Sequence, residues 1–98
     1  MATAQQIIAD INAHMQQSGI PNNRWYIGIA ANARNRLFVD HGVNEQGGWW
    51  ILRQADSSAI ARQVEKAYLD AGCQGGGGGG DDTTVWVYAY VITSDTRE

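Results

Sequence analysis

Apolar residues near the start of the chain recur at intervals of three and four, which is the spacing of one face of an α-helix. Thr3 and Gln6 have the types and the spacing of a capping box. Gly19 ends the pattern, and Pro21 prevents the helix from resuming. The sequence therefore predicts a helix over residues 3–18. Its apolar face comprises Ala4, Ile7, Ile8, Ile11 and Met15.

Aromatic and β-branched residues are concentrated in three later stretches, which predict strands over residues 24–30, 49–53 and 83–92. In the last stretch neither set of alternating positions is polar, so we expect both faces of this strand to be covered. The tail 93–98 is polar, and we expect it to fray.

Two further helices are predicted between these strands. A short helix runs from about Asn32 to Asp40 with Asn32 as its N-cap, and a longer helix opens at 56–58 and ends at Gly72. A chain of 98 residues is sufficient for one domain, 1–98. The pattern predicts an α+β fold, with a small three-stranded, mainly antiparallel sheet and three helices packed on it.

Six consecutive glycines form a low-complexity segment at Gly75–Gly80. Without side chains such a run gains little from ordering, so we interpret it as a flexible connector or lid. A glycine loop can also surround a phosphate with backbone amides, but this loop lacks the lysine and the hydroxyl residue of a P-loop.

The net charge of −3 argues against a general nucleic-acid binder. The charge is unevenly distributed, because residues 24–66 carry six basic and four acidic side chains. Six of the seven basic residues are arginines, which suit bidentate contacts with phosphate. The single cysteine fits a reducing cytoplasm. No apolar run is long enough for a membrane span, and no signal peptide is evident.

Tyr26-Ile27-Gly28 on the first predicted strand is followed by Arg36 on the next helix, by His41 and by Glu65 on a later helix. This arrangement resembles the second half of the GIY-YIG nuclease signature. The Gly-Ile-Tyr strand that usually comes first is missing, and a helix stands in its place. If the C-terminal strand with Tyr88 takes that position, the chain is a permuted relative, and this strand should pair with the Tyr26 strand.

The resemblance implies a domain that acts on or binds phosphodiesters of nucleic acid, as an active or a degenerate Mg²⁺-dependent nuclease. Glu65 would hold Mg²⁺, with water completing the coordination. Arg36 would hold the phosphate oxygens. Tyr26, with Tyr88 or the next tyrosine on that strand, would position or deprotonate the attacking water, and His41 would assist.

Two other classes of protein remain open. A non-catalytic nucleotide-binding or inhibitor protein of phage or mobile-element type would stack bases on its tryptophans. A homo-oligomer, such as a homodimer, would bury the second face of the apolar 86–92 stretch against a second copy. Each candidate site residue also has an ordinary structural role, such as the pairing of Glu65 with Arg62 or Lys66 on a helix surface.

Overall fold

The computed structural model describes residues 2–76 and 83–97, which form an antiparallel sheet with helices on both faces. The second helix, α2 (Ala33–Asn35), is short and continues directly into a π-helical segment, Arg36–Asp40. In chain order the elements are α1 Ala4–Ser18, β1 Trp25–Ala30, α2 Ala33–Asn35, β2 Trp50–Gln54, α3 Ser58–Asp70 and β3 Trp86–Val91. The predicted α+β class is confirmed.

Local sequence signals set the ends of the helices. The Thr3 side chain accepts from the Gln6 backbone N–H, and the Gln6 side chain accepts from the Thr3 backbone N–H, so both bonds of the capping box are present. Gly19 ends α1 in the left-handed region, with a φ of 67°. The side chains of Asn32 and Ser57 cap α2 and α3.

The C-terminal strand β3 lies in the middle of the sheet, between β1 and β2, and pairs antiparallel with both. In the register with β1, Tyr26 faces Tyr90 and Gly28 faces Tyr88. This confirms the prediction that the C-terminal strand pairs with the Tyr26 strand.

Each face of the sheet is covered by its own layer. On one face α1 and α3 pack over residues such as Trp25, Ile27 and Val87. On the other, Leu37 at the start of the π-helical segment packs against the tyrosines of β3. We call this second side the tyrosine face. Tyr88 and Tyr90 are buried within one chain, whereas Trp86 and Ile92 are half-buried.

Two segments differ from the structure predicted from the sequence, and a third lies partly outside the described residues. The strand predicted from 83 begins only at Trp86. The loop predicted at Gly75–Gly80 is described only for its first two glycines, and the rest lies outside the described residues. The tail was expected to fray, but residues 93–97 fold back in a hydrogen-bonded turn. Within the described ranges, no helix has the length and apolar character needed to cross a membrane.

Candidate functional site

Four aromatic side chains from distant parts of the sequence meet on the tyrosine face. We call Tyr26, His41, Tyr88 and Tyr90 the tyrosine–histidine cluster. Tyr26 stacks on Tyr90 with ring centroids 5.1 Å apart, and its centroid lies 4.9 Å from that of His41. His41 also contacts the rings of Tyr88 and Tyr90, at 5.5 and 5.0 Å. The structure therefore brings together three of the predicted catalytic residues: Tyr26, His41 and Tyr88.

Gly28 makes room for this cluster. A Cβ atom built on Gly28 would lie 2.3 Å from Cζ and 2.4 Å from the hydroxyl oxygen of Tyr88. The Tyr88 side chain therefore lies directly over the backbone of β1, where only glycine fits. The glycine of the Tyr-Ile-Gly motif thus has a steric function, which is to let a phenol from the neighbouring strand cross β1.

The hydrogen bonds of His41 identify its protonated nitrogen. Nδ1 lies 2.6 Å from the backbone carbonyl oxygen of Arg97, which can only accept, so Nδ1 carries the proton. In the neutral ring Nε2 is then an acceptor, and the Tyr88 hydroxyl donates to it at 2.9 Å. The Tyr90 hydroxyl lies 3.0 Å from Nδ1. His41 is thus held at both nitrogens, with its basic nitrogen directed at Tyr88.

The environment of Tyr88 keeps its hydroxyl neutral. Burial raises the pKa of Tyr88 well above the usual tyrosine value, and the neighbouring Tyr26 raises it further. Of the charged groups that act on this pKa, Arg36 lowers it, whereas Glu65 and Asp40 raise it. The Tyr88 hydroxyl is therefore a hydrogen-bond donor at neutral pH. Arg36 and Glu65 thus both influence the pKa of Tyr88, although Glu65 lies on α3, which packs on the other face of the sheet.

Glu65 lies on the inner side of α3, which packs against β1 and β3. Its side chain is buried, with 7% of the residue exposed, so it is not the surface partner of Lys66. Lys66 instead pairs with Asp70 at 3.0 Å. Burial raises the pKa of the Glu65 carboxyl, and the nearby Arg62 offsets part of this effect. A buried carboxylate with a raised pKa is typical of a functional site.

Arg36 begins the π-helical segment and is about half exposed. Its Nη1 lies 3.3 Å from a carboxylate oxygen of Asp40, one turn further on. An exposed pair of this kind contributes little to stability, so the guanidinium can exchange partners at small cost. The Arg36 side chain makes no hydrogen bond to the tyrosine–histidine cluster within the described ranges, and its effect on Tyr88 is electrostatic.

Tyr26 is the half-buried member of the cluster, and its hydroxyl accepts the backbone N–H of Gly76 at 3.1 Å. This contact follows from the path of the chain after α3. Gln74 adds a short parallel bridge beside β1, with its carbonyl oxygen accepting from Ile27 N–H at 2.8 Å. The glycine-rich segment therefore starts at the Tyr26 hydroxyl.

One part of the site was not predicted from the sequence. The backbone of Arg97, in the tail expected to fray, contacts both the ring and the backbone of His41. The available signal was Thr93 and Thr96, three residues apart after a strand, since threonine side chains at such a spacing can bond to the backbone and form a turn.

The donor set near Tyr88 can be compared with the needs of Mg²⁺. Mg²⁺ usually takes one or two protein carboxylates and keeps several waters. Within the described residues, no group of three or more histidine, cysteine, aspartate or glutamate side chains is placed to hold a metal. Glu65 would be the single protein ligand of such a site; its carboxylate is buried and its charged form is disfavoured, a cost that a bound cation would offset.

Comparison of the chain with protein-family models, curated proteins and solved structures finds no match. A functional interpretation must therefore come from the residues and their geometry.

Proposed function

We propose that this chain hydrolyses phosphodiester bonds of nucleic acid with Mg²⁺, as its resemblance to GIY-YIG nucleases implies. One observation carries the proposal. Tyr26, His41 and Tyr88 are in contact, and the charges of Arg36 and Glu65 act on Tyr88. These residue types can supply the general base and the charge stabilisation that phosphodiester hydrolysis uses.

The pair Tyr88–His41 is built to remove a proton. Tyr88 already donates to Nε2 of His41. A water molecule held at the Tyr88 hydroxyl oxygen would give up a proton to that oxygen while the phenol proton moves to Nε2. His41 is then the final acceptor and becomes a cation beside the Arg97 carbonyl. This relay needs no tyrosinate, which agrees with the raised pKa of Tyr88.

The remaining residues would stabilise the negative charge of the phosphate or orient the attacking water. Arg36 would exchange its weak pair with Asp40 for the phosphate oxygens, whose negative charge grows during attack. Glu65 would be the protein ligand of Mg²⁺, which supplies charge neutralisation on the phosphate when bound. Tyr26 would orient the attacking water from the opposite side of the cluster.

The test is an assay of the purified protein on single- and double-stranded DNA and RNA, with and without Mg²⁺. Cleavage should require Mg²⁺ and should fall by at least about a hundredfold in Glu65→Gln and Tyr88→Phe. Lys66→Gln is the matched control for Glu65, because Lys66 lies next to it on α3 but is exposed and pairs with Asp70.

Arg36→Lys separates a phosphate clamp from a covering side chain. Lysine keeps the charge but loses the two-point fork, so we expect cleavage to weaken while stability changes by about 0.5 kcal/mol or less. Arg53→Lys is the control, since Arg53 forms an exposed pair with Asp10. An unfolded Arg36→Lys variant would indicate a structural arginine instead.

The same samples distinguish the alternative class. Quenching of tryptophan fluorescence by a nucleotide or oligonucleotide, with no cleavage under any metal condition, would overturn the hydrolase proposal and identify a non-catalytic binding protein.

A further inference from the structure

We propose that Arg97 is a positioning residue, which holds His41 in the tautomer and orientation that leave Nε2 free to accept a proton. This inference rests on the proposed function for its catalytic meaning. Its structural content, the state of the His41 ring, can be tested without any activity.

The tail returns to His41 because of a turn made by two threonines. After β3, the Thr93 N–H donates to the Thr96 hydroxyl at 3.0 Å, and this hydroxyl donates to the Thr93 carbonyl at 3.1 Å. The Asp95 N–H donates to the Thr93 hydroxyl at 3.2 Å. These local bonds reverse the chain within four residues and bring Arg97 back toward the sheet.

Arg97 and His41 then bind each other in both directions. The Arg97 N–H donates to the His41 carbonyl at 2.6 Å, and His41 Nδ1–H donates to the Arg97 carbonyl at 2.6 Å. A backbone carbonyl is an obligate acceptor, so it selects the tautomer with the proton on Nδ1. The Tyr90 hydroxyl also donates to this carbonyl, at 3.4 Å.

The Arg97 side chain anchors the same segment from outside. Its Nη2 donates to the Val39 carbonyl at 3.0 Å and its Nε to the Asp40 carbonyl at 3.5 Å. These carbonyls end the π-helical segment, where a cation is favourable. Arg97 therefore ties the tail to the helix end that immediately precedes His41.

Gly42 permits this close approach. It has a φ of +68°, and a Cβ atom on it would lie 3.3 Å from the Asp95 carbonyl and 3.6 Å from the Arg97 guanidinium. The chain next to His41 thus turns where only glycine turns freely, and it leaves space for the tail. Three features of the sequence, the Thr93–Thr96 turn, Arg97 and Gly42, serve one contact.

The consequence for chemistry follows from the ring. If the Arg97 carbonyl no longer contacts His41, the neutral His41 ring samples both tautomers. With the proton on Nε2, the ring cannot accept the hydrogen bond from the Tyr88 hydroxyl. A general base that is correctly placed for only part of the time lowers kcat, while substrate binding changes little.

Nitrogen-15 NMR of the His41 ring tests the inference directly, with His14→Gln used to remove the second histidine signal. We expect the Nδ1–H tautomer in the unmodified chain. Arg97→Ala should shift the ring toward a mixture of tautomers, and Arg97→Pro, which also removes the donor N–H, should shift it further. Arg97→Lys should keep most of the original signal, because an ammonium still reaches the Val39 carbonyl. Arg24→Ala is the control for loss of an exposed arginine.

Kinetics give the second readout. We expect kcat to fall about tenfold to a hundredfold in Arg97→Ala, with KM nearly constant. Circular dichroism should show that the variants remain folded. An Nε2–H tautomer in the unmodified chain, or the same tautomer in all variants, would overturn the inference whether or not the protein is a nuclease. A chain that cleaves nothing but shows the expected NMR series would instead overturn the proposed function alone.

Discussion

At the scale of single residues, Gly28 shows how one missing side chain shapes the site. The Tyr88 ring lies over the Gly28 backbone, and this position lets the hydroxyl reach His41 Nε2. No positive φ is involved at Gly28, so the requirement for glycine is one of space alone. The sequence marked Gly28 only as a motif residue. Glycine is needed at this position because of Tyr88, which comes 60 residues later in the chain, so no local sequence pattern could reveal the requirement.

Gly28→Ala should therefore lower both stability and activity. A methyl group 2.3 Å from Tyr88 Cζ must displace the ring or separate β1 from β3, at a cost of about 1–3 kcal/mol. Chemical denaturation measures this cost, and loss of the Tyr88–His41 bond should appear in the His41 nitrogen spectrum. Gly47→Ala is the control, because its nearest neighbour is the Asn44 side chain at 3.2 Å, in a surface turn. Equal, small effects in both variants would mean that the Tyr88 ring does not lie over the backbone of β1 at Gly28.

At the scale of elements, the site depends on how strands and helices far apart in the chain come together. β3 lies between β1 and β2, so the last strand supplies the central row of tyrosines. The π-helical segment then closes over them, with the His41 N–H donating to the Arg36 carbonyl at 2.8 Å. Such wide turns are rare and often occur at functional sites. Here the wide turn lies between Arg36 and His41.

The elements themselves could be predicted because their signals are local. Capping residues, glycine ends and apolar periodicity gave three helices and three strands in the correct order. The pairing of β1 with β3 was predicted from the missing first strand of the resemblance together with the strong alternation over residues 85–92. The π-helical turn could not be predicted, since Asn32–Asp40 has an ordinary helical composition. The turn after β3 was missed because the polar composition of the tail masked the Thr93–Thr96 spacing.

α3 carries a residue that should cost stability. Burial raises the pKa of Glu65 above its ordinary value of 4.5, so the charged carboxylate is less favourable in the folded state than in the unfolded chain. Glu65→Gln should therefore raise the denaturation midpoint at neutral pH while it abolishes cleavage. The gain should shrink as pH falls through the raised pKa and vanish below 4.5, where both states are protonated.

Glu45→Gln is the control for this effect, because Glu45 is exposed and pairs with Arg34. Added Mg²⁺ should raise the midpoint of the unmodified chain but not that of Glu65→Gln, since only the former has the proposed ligand. A Glu65→Gln variant that is less stable at neutral pH would show that the carboxylate is a structural acceptor, and would argue against a metal site.

At the scale of the whole molecule, the two faces of the sheet serve different purposes. The face under α1 and α3 is built mainly from apolar side chains and contains the larger core. The tyrosine face has a smaller buried cluster, which contains hydroxyls and an imidazole joined by hydrogen bonds. The acidic net charge does not exclude a phosphate site, because residues 24–66, which contain the proposed Arg36 contact, carry six basic and four acidic side chains.

The weak point of the larger core under acid conditions is His14. Its Nε2 is buried and has no hydrogen-bond partner among the described residues, and its ring contacts the edges of Trp25 and Trp49 at 5.8 and 5.2 Å. Burial lowers the pKa of His14 from its ordinary 6.5, Arg53 lowers it further, and the Trp50 backbone acts in the opposite direction. The folded state therefore resists the proton that the unfolded chain accepts.

Stability should consequently be lost as pH falls below 6.5 toward the lowered pKa of His14, and the loss should level off below that pKa. One proton contributes at most about 1.4 kcal/mol per pH unit. His14→Gln should remove this part of the slope when denaturation midpoints are compared across the range. Arg53→Gln should reduce the loss without abolishing it, because the positive charge adds to the effect of burial. The unmodified chain and His14→Gln could instead lose stability in parallel below pH 6.5. This result would mean that His14 is protonated as easily in the folded state as in the unfolded chain, and that the tryptophans do not enclose its ring.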